Sequence, residues 1–172
     1  MAVAATAAEA SSAVDAGADL VDLTGAAPAE VATFRRAHPG VPVCADGGDT
    51  DLTRDSSVAA ASGARLICAS REEAARSGLP PECLLIETGP DGLITALAAG
   101  FPVLVDLPDG PAAQPEEEEP PGAGALAVAA LSGWLGAAVV RTRYPLPVRR
   151  ALDLTDSVRG VRPPARTVRG LA

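Results

Sequence analysis

Short, continuous apolar runs recur along the chain behind Ala-rich stretches. They are GADLVDLTG (17–25), GVPVCAD (40–46), GARLICAS (63–70), ECLLIETG (82–89), GFPVLVDLPDG (100–110) and GAAVVRTRYP (136–145). Strands that read as unbroken apolar runs, rather than as alternating ones, are covered on both faces, which is the mark of a parallel sheet in α/β proteins. The segments between them read as helices over 30–38, 51–62, 71–78, 92–99, 123–135 and 147–160, most ending at a Gly suited to a left-handed C-cap. The Ala-rich segment 1–17 reads as a further helix ahead of the first run. The pattern therefore predicts about six parallel strands alternating with helices.

Length limits how these units close. A complete (β/α)₈ barrel usually takes about 250 residues, and this chain has 172. The expectation is one domain over 1–172, either an incomplete TIM-type barrel or an open curved parallel sheet. Residues 108–124, PDGPAAQPEEEEPPGAG, interrupt the alternation and read as a solvated acidic loop, with a tether for a basic partner as the alternative. The tail 161–172 has no periodicity and is expected to be irregular.

Composition removes several classes of chemistry. There are 14 Arg, 22 Asp or Glu, one His, and no Lys or Asn. Schiff-base lysines, P-loop lysines and catalytic asparagines are thereby excluded. A net charge of −8 argues against nucleic acid as a partner. Cys44, Cys68 and Cys83 each lie in or beside an apolar run, so buried thiols in a reducing cytoplasm are expected rather than disulfides. The N-terminal segment lacks a basic n-region and carries Glu9 and Asp15, unlike a signal peptide. The uncharged stretch 120–140 is broken by four glycines and reads as a buried helix followed by a strand, not as a membrane span.

In parallel α/β folds, working side chains gather at the carboxyl ends of strands. That position is held by Asp22, Asp46, Cys68 with Ser70, Glu87, Asp106, and Arg141 with Arg143. Clustered acids on one rim can bind a divalent metal or hydrogen-bond the amino groups of a heterocycle, and paired arginines can grip a carboxylate or phosphate. Each acid taken singly is equally explained as a helix cap. His38, before Pro39 and Gly40, reads as a cation at a helix C-terminus, and no zinc-ligand spacing is present.

At these strand ends the chain resembles the dihydropteroate synthases, the pterin-binding (β/α)₈ family that joins p-aminobenzoate to a pterin pyrophosphate in folate synthesis. AVDAGADLVDLTG is similar to that family's second strand, GVPVCAD to its third, with Asp46 as the pterin-contacting Asp, and ASGARLICAS to its fourth. SGLPPECLLIETGPDG, LAAGFPVLVDLPDG and GAAVVRTRYPLPVRRALDLTDSVRG follow in the family's order. By this resemblance the first and fifth strands are missing. Cys68 and Ala69 stand for the fourth strand's Asn and Asp, Glu87 for an Asp, Pro108 to Gly110 for Ser-Arg-Lys, and Arg143 for a His. Ala26, Ala27 and Pro28 stand where the family has its p-aminobenzoate loop.

What the resemblance implies is a scaffold without its chemistry. Each lost donor to a departing pyrophosphate costs about 100-fold or more in rate, so no catalytic residue and no metal site is expected. Asp22, Asp46, Glu87, Asp106, Arg141 and Arg143 remain as a vestigial pterin rim, with a pterin as the one small ligand implied. The helices at 123–135 and 147–160 resemble those of the family's dimer contact, implying a homodimer or a heterodimer with a full-length relative. The alternatives are a pterin-binding transferase with residual or partner-completed activity, using Mg, and a small-anion or metabolite sensor built on Arg141 and Arg143.

Overall fold

A computed structural model describes residues 1–57, 59, 64–107 and 122–162. The strands are β1 (Ala2–Val3), β2 (Val21–Asp22), β3 (Val43–Cys44), β4 (Leu52–Thr53), β5 (Leu66–Ala69), β6 (Leu84–Thr88), β7 (Val103–Asp106) and β8 (Val139–Arg141). Six helices are described with them: α1 (Ala7–Asp15), α2 (Pro28–Ala37), α3 (Arg71–Ser77), α4 (Leu93–Ala98), α5 (Ala123–Leu135) and α6 (Pro145–Val158). All strands are parallel and pair in chain order. The sheet then closes on itself. Ala2 bridges Thr142, the Val3 amide donates to the Thr142 carbonyl at 3.0 Å, and the Thr142 amide donates to the Met1 carbonyl at 3.1 Å.

The expected parallel α/β architecture is thus present as a closed barrel of eight strands, not six. Both additional strands, β1 and β4, are two residues long. Ala2–Val3 is too short to stand out from the Ala-rich helix behind it. Leu52–Thr53 lies at the start of 51–62, whose pattern predicts helix. A strand this short is stabilised by neighbours on both sides, and that support is invisible to a local pattern. The first strand is therefore present. Nor is a fifth strand missing: Leu52–Thr53 is the fourth strand in order, and Leu66–Ala69, which carries Cys68 and Ala69, is the fifth. The acidic loop falls mainly in 108–121 and the irregular tail mainly in 163–172, both outside the described residues.

Local chemistry explains the helix ends. Ser70 caps α3 in a reciprocal box: its hydroxyl accepts from the Glu73 amide while the Glu73 carboxylate accepts from the Ser70 amide. Thr6 caps α1, and a carboxylate from the next helix, Glu30, accepts from the Ala7 amide at 2.6 Å. Gly78 and Gly136 close α3 and α5 in the left-handed region.

Alternation along the strands divides the apolar residues into layers. Inside the barrel Cys44, Leu52, Cys68, Leu85 and Leu104 pack together. Outside it there are two separate clusters. One joins β2 and β3 to α1 and α2 through Val21, Leu23, Val31, Phe34 and Val43 with several alanines. The other joins β5–β8 to α3–α6 through Ile67, Leu84, Ile86, Leu93, Val103, Val105, Val140 and Val148. The three cysteines are free, Cys44 and Cys68 buried and Cys83 half-buried. No helix among the described residues is long and apolar enough to cross a membrane.

Candidate functional site

The carboxyl ends of the strands carry a compact ionic cluster. Asp22 ends β2 with only 1% of its side chain exposed. Its Oδ1 accepts from the Thr24 amide at 2.9 Å and its Oδ2 accepts from Arg141 Nε at 2.7 Å. Arg141, the last residue of β8, also donates through Nη1 to Asp106 at the end of β7, at 3.2 Å, and lies 3.9 Å from Glu87 on β6. Arg54, directly after β4, donates through Nη2 to Glu87 Oε1 at 2.8 Å and stands 3.9 Å from Asp22. Three carboxylates thus share two guanidiniums. Burial works to lower the Arg141 pKa, but Asp22, Asp106 and Glu87 more than offset it, and the guanidinium is held above its ordinary value.

Of the six rim residues expected, four converge: Asp22, Glu87, Asp106 and Arg141. Asp46 does not join them; it is exposed, and its Oδ2 accepts from the Gly25 amide at 3.1 Å, tying the loop after β3 to that after β2. Arg143 is also exposed. It lines a different opening, a groove of about 840 Å³ along α1 with Glu9, Thr24 and Gly25. Arg141 and Arg143 therefore do not form one anion grip. Arg54 is absent from the expected rim because the pattern of 51–62 predicts helix. The alternation Leu52-Thr53-Arg54 behind a Gly-Gly turn was the available signal.

Beneath the ionic cluster lie Cys44 and Cys68. Cys44 pairs with the Cys68 thiol and sits 3.9 Å from the Thr24 hydroxyl; that pairing, burial and the nearby Asp22 charge push the Cys44 thiol up. Ser70 serves as the α3 cap. His38 ends α2, stacks on Phe34, and its Nε2 hydrogen-bonds the Ser11 hydroxyl at 2.9 Å.

The donor set does not suit a divalent cation, because each carboxylate of the cluster already bonds a guanidinium. Among the described residues no group of three or more His, Cys, Asp or Glu is placed to hold a metal ion. What the arrangement can do is hold strand ends together. An incoming heterocycle would have to displace Arg141 to reach Asp22 Oδ2, and Arg54 to reach Glu87 Oε1.

No family model matches the chain. Over 49 residues, 28% of this chain, it is 49% identical to the inactive dihydropteroate synthase 2 of Mycobacterium bovis and 45% identical to that of Mycobacterium leprae. The match spans only 15% and 17% of the length of those relatives. Among solved structures, Mycobacterium tuberculosis Rv1207 superposes with a TM-score of 0.70 at 23% identity, covering 96% of this chain and 92% of that one. The Yersinia pestis dihydropteroate synthase gives 0.65 at 17% identity, covering 89% and 87%. In fold along its described length, and in sequence over one 49-residue stretch, this is a dihydropteroate-synthase-like chain.

Proposed function

We propose that this chain is a non-catalytic dihydropteroate-synthase-like protein that acts by association, pairing with itself or with a full-length relative through α5 and α6 in the cytoplasm. Two observations support the reading. At the rim, Arg54 and Arg141 hold three of the four carboxylates of the expected pterin rim, Asp22, Glu87 and Asp106, so a heterocycle entering there meets ion pairs, and Asp46 stands apart from them. The association itself rests on one observation, an exposed apolar face. Of eight large hydrophobic side chains exposed among the described residues, all but Ile94 lie on α5, on α6 or just after it. Leu131, Trp134 and Leu135 share one side of α5, and Leu154 and Val158 follow at helical spacing on α6. Monomers rarely leave contiguous apolar patches beyond a few hundred Å², and a standard interface takes about 800 Å² per partner.

The two helices are closely apposed. A Cβ added at Gly133 of α5 would stand 2.7 Å from Leu152 Cδ2 of α6, and Arg159 Nη1 donates to the Gly133 carbonyl at 2.9 Å. Light scattering on a sizing column tests the reading. A dimer is expected, converted to monomer by Trp134→Glu with Leu154→Glu. Calorimetry with a pterin, its pyrophosphate and magnesium is expected to give no heat at millimolar ligand. A monomer that binds pterin at micromolar concentration would return the chain to the enzymes of folate synthesis.

A further inference from the structure

The eight strands are not joined with equal strength. From β5 to β8 each neighbouring pair is matched at three positions, whereas β3 meets β4 at one matched pair, Cys44 and Leu52, and β1 closes on the end of β8 at the Ala2–Thr142 bridge. Backbone hydrogen bonds support both junctions, among them Ala45 to Leu52 at the first and Val3 to Thr142, Thr142 to Met1 and the Met1 amino group to Val140 at the second. The outer apolar clusters part at these two seams, which divide the molecule into two parts. The N-terminal part, β1–α1–β2–α2–β3, has its own outer cluster, built largely of alanines around Phe34. The C-terminal part, β4–β8 with α3–α6, has a larger one with Ile, Leu and Val. Ala-rich packing buries less apolar area per residue, so the N-terminal part is the less stable of the two.

Both seams are crossed at the same atom. Asp22 belongs to the N-terminal part, and both cations that approach it belong to the C-terminal part, one at each edge. Arg141 comes from β8, beside β1, and bonds Asp22 Oδ2 at 2.7 Å; Arg54 comes from the end of β4, beside β3, and stands 3.9 Å from the same oxygen. Each guanidinium is anchored at its other end within its own part, Arg141 on Asp106 and Arg54 on Glu87. Other contacts cross the seams. The ion pair of Arg149 with Asp19 is largely exposed at the carboxylate and contributes little, and the Thr50 hydroxyl and Asp51 carboxylate bond the Val43 backbone ahead of β4. The Arg35–Asp51 ion pair, with side chains 17% and 30% exposed, spans the β3–β4 seam as well. Among the described residues Asp22, 1% exposed, is the most deeply buried carboxylate in these crossings and the one approached from both seams.

We propose that Asp22 is a latch: clasped from both edges by Arg141 and Arg54, it holds the N-terminal β1–β3 unit against the β4–β8 unit, and its release lets that unit open as a body at the β3–β4 and β8–β1 seams. The proposal rests on the reading that the rim carboxylates serve the fold and not a substrate. The opening has a chemical reporter, since Cys44 and Cys68 lie on the strands either side of β4, pack inside the barrel, and are 0% and 2% exposed.

Hydrogen exchange resolved by mass spectrometry, with thiol labelling by iodoacetamide, tests it on the full chain. In the unaltered protein, amides of β1–β3 are expected to exchange at least tenfold faster than those of β6 and β7, with Cys44 and Cys68 labelling at the rate of that opening. Asp22→Asn, which keeps an acceptor for the Thr24 amide, is expected to speed exchange in β1–β3 and labelling of Cys44 and Cys68 by tenfold or more, while β6, β7 and the half-buried Cys83 change less than threefold. Arg54→Met, which removes the longer contact, is the milder variant should Asp22→Asn fail to fold, and the same regional pattern is expected at smaller amplitude. Equal acceleration in all strands, or β6 and β7 opening with or before β1–β3, overturns the latch. A failure of this kind leaves the ligand calorimetry unchanged, so it is distinct from finding that the rim binds a pterin.

Discussion

Removing Arg141 is the most direct test of the ionic cluster. Methionine keeps most of the aliphatic bulk, so Arg141→Met withdraws the charge while leaving little cavity. The Asp22 carboxylate, 1% exposed, then loses its 2.7 Å partner and keeps only the Thr24 amide and the Arg54 guanidinium 3.9 Å away. Breaking a buried pair by removing one member costs about 3–5 kcal/mol, because the remaining charge is stranded. Asp106, 45% exposed, loses a 3.2 Å partner as well, but at that exposure the loss is about 0.2–1 kcal/mol. The total of about 3–6 kcal/mol corresponds, at roughly 2–4 °C per kcal/mol for a domain of this size, to a fall in Tm of roughly 6–24 °C. Thermal and urea unfolding followed by circular dichroism measure it at pH 7. Asp22→Leu combined with Arg141→Met is expected to recover most of the loss, since a buried pair replaced by apolar side chains is often neutral. A deficit below about 1 kcal/mol, or a double variant no better than the single one, would refute the account of Asp22 as a buried charge dependent on Arg141.

Three further outcomes are expected. Phe34→Ala removes the largest fully buried side chain of the N-terminal cluster and is expected to cost about 3–5 kcal/mol by denaturant unfolding. Gly133→Ala brings a Cβ to 2.7 Å from the end of the Leu152 side chain; that side chain can shift, and Ala is favoured over Gly within a helix by about 1 kcal/mol, so a change within about 1 kcal/mol of zero is expected, whereas Gly133→Val should be clearly destabilising. The capping box gives a pH signature. The Ser70 hydroxyl and backbone amide, both bonded to Glu73, hold its carboxyl below the ordinary value, so its contribution is present above the unfolded pKa and is lost as pH falls through the folded one. The stability difference between the protein and Glu73→Gln should therefore be present at pH 7 and vanish in acid.

The parallel α/β class was legible in the sequence because strands buried on both faces must be continuously apolar, and β2, β3 and β5–β8 carry that signature within a few residues each. Four rim groups, Asp22, Glu87, Asp106 and Arg141, were legible for a related reason: in a parallel sheet the end of each apolar run marks where its strand reaches the rim. The Ala123–Leu135 helix was readable to the residue, bounded by Gly122 and by Gly136 in the left-handed region. All of these are properties of a segment and its immediate neighbours in the chain.

What only the tertiary structure decided was closure. Strands of two residues, Ala2–Val3 and Leu52–Thr53, carry no pattern of their own and exist because ladders on either side supply their hydrogen bonds. With β4 in place, Arg54 moves from a helix to the barrel rim, where it bonds a carboxylate 33 positions away. Asp46 and Arg143 end up outside the cluster for the converse reason: they lie beyond their strands, where loop geometry rather than strand alternation sets direction. The sequence specified which side chains reach the rim by local periodicity, but which charges neutralise one another depends on distances across the closed sheet.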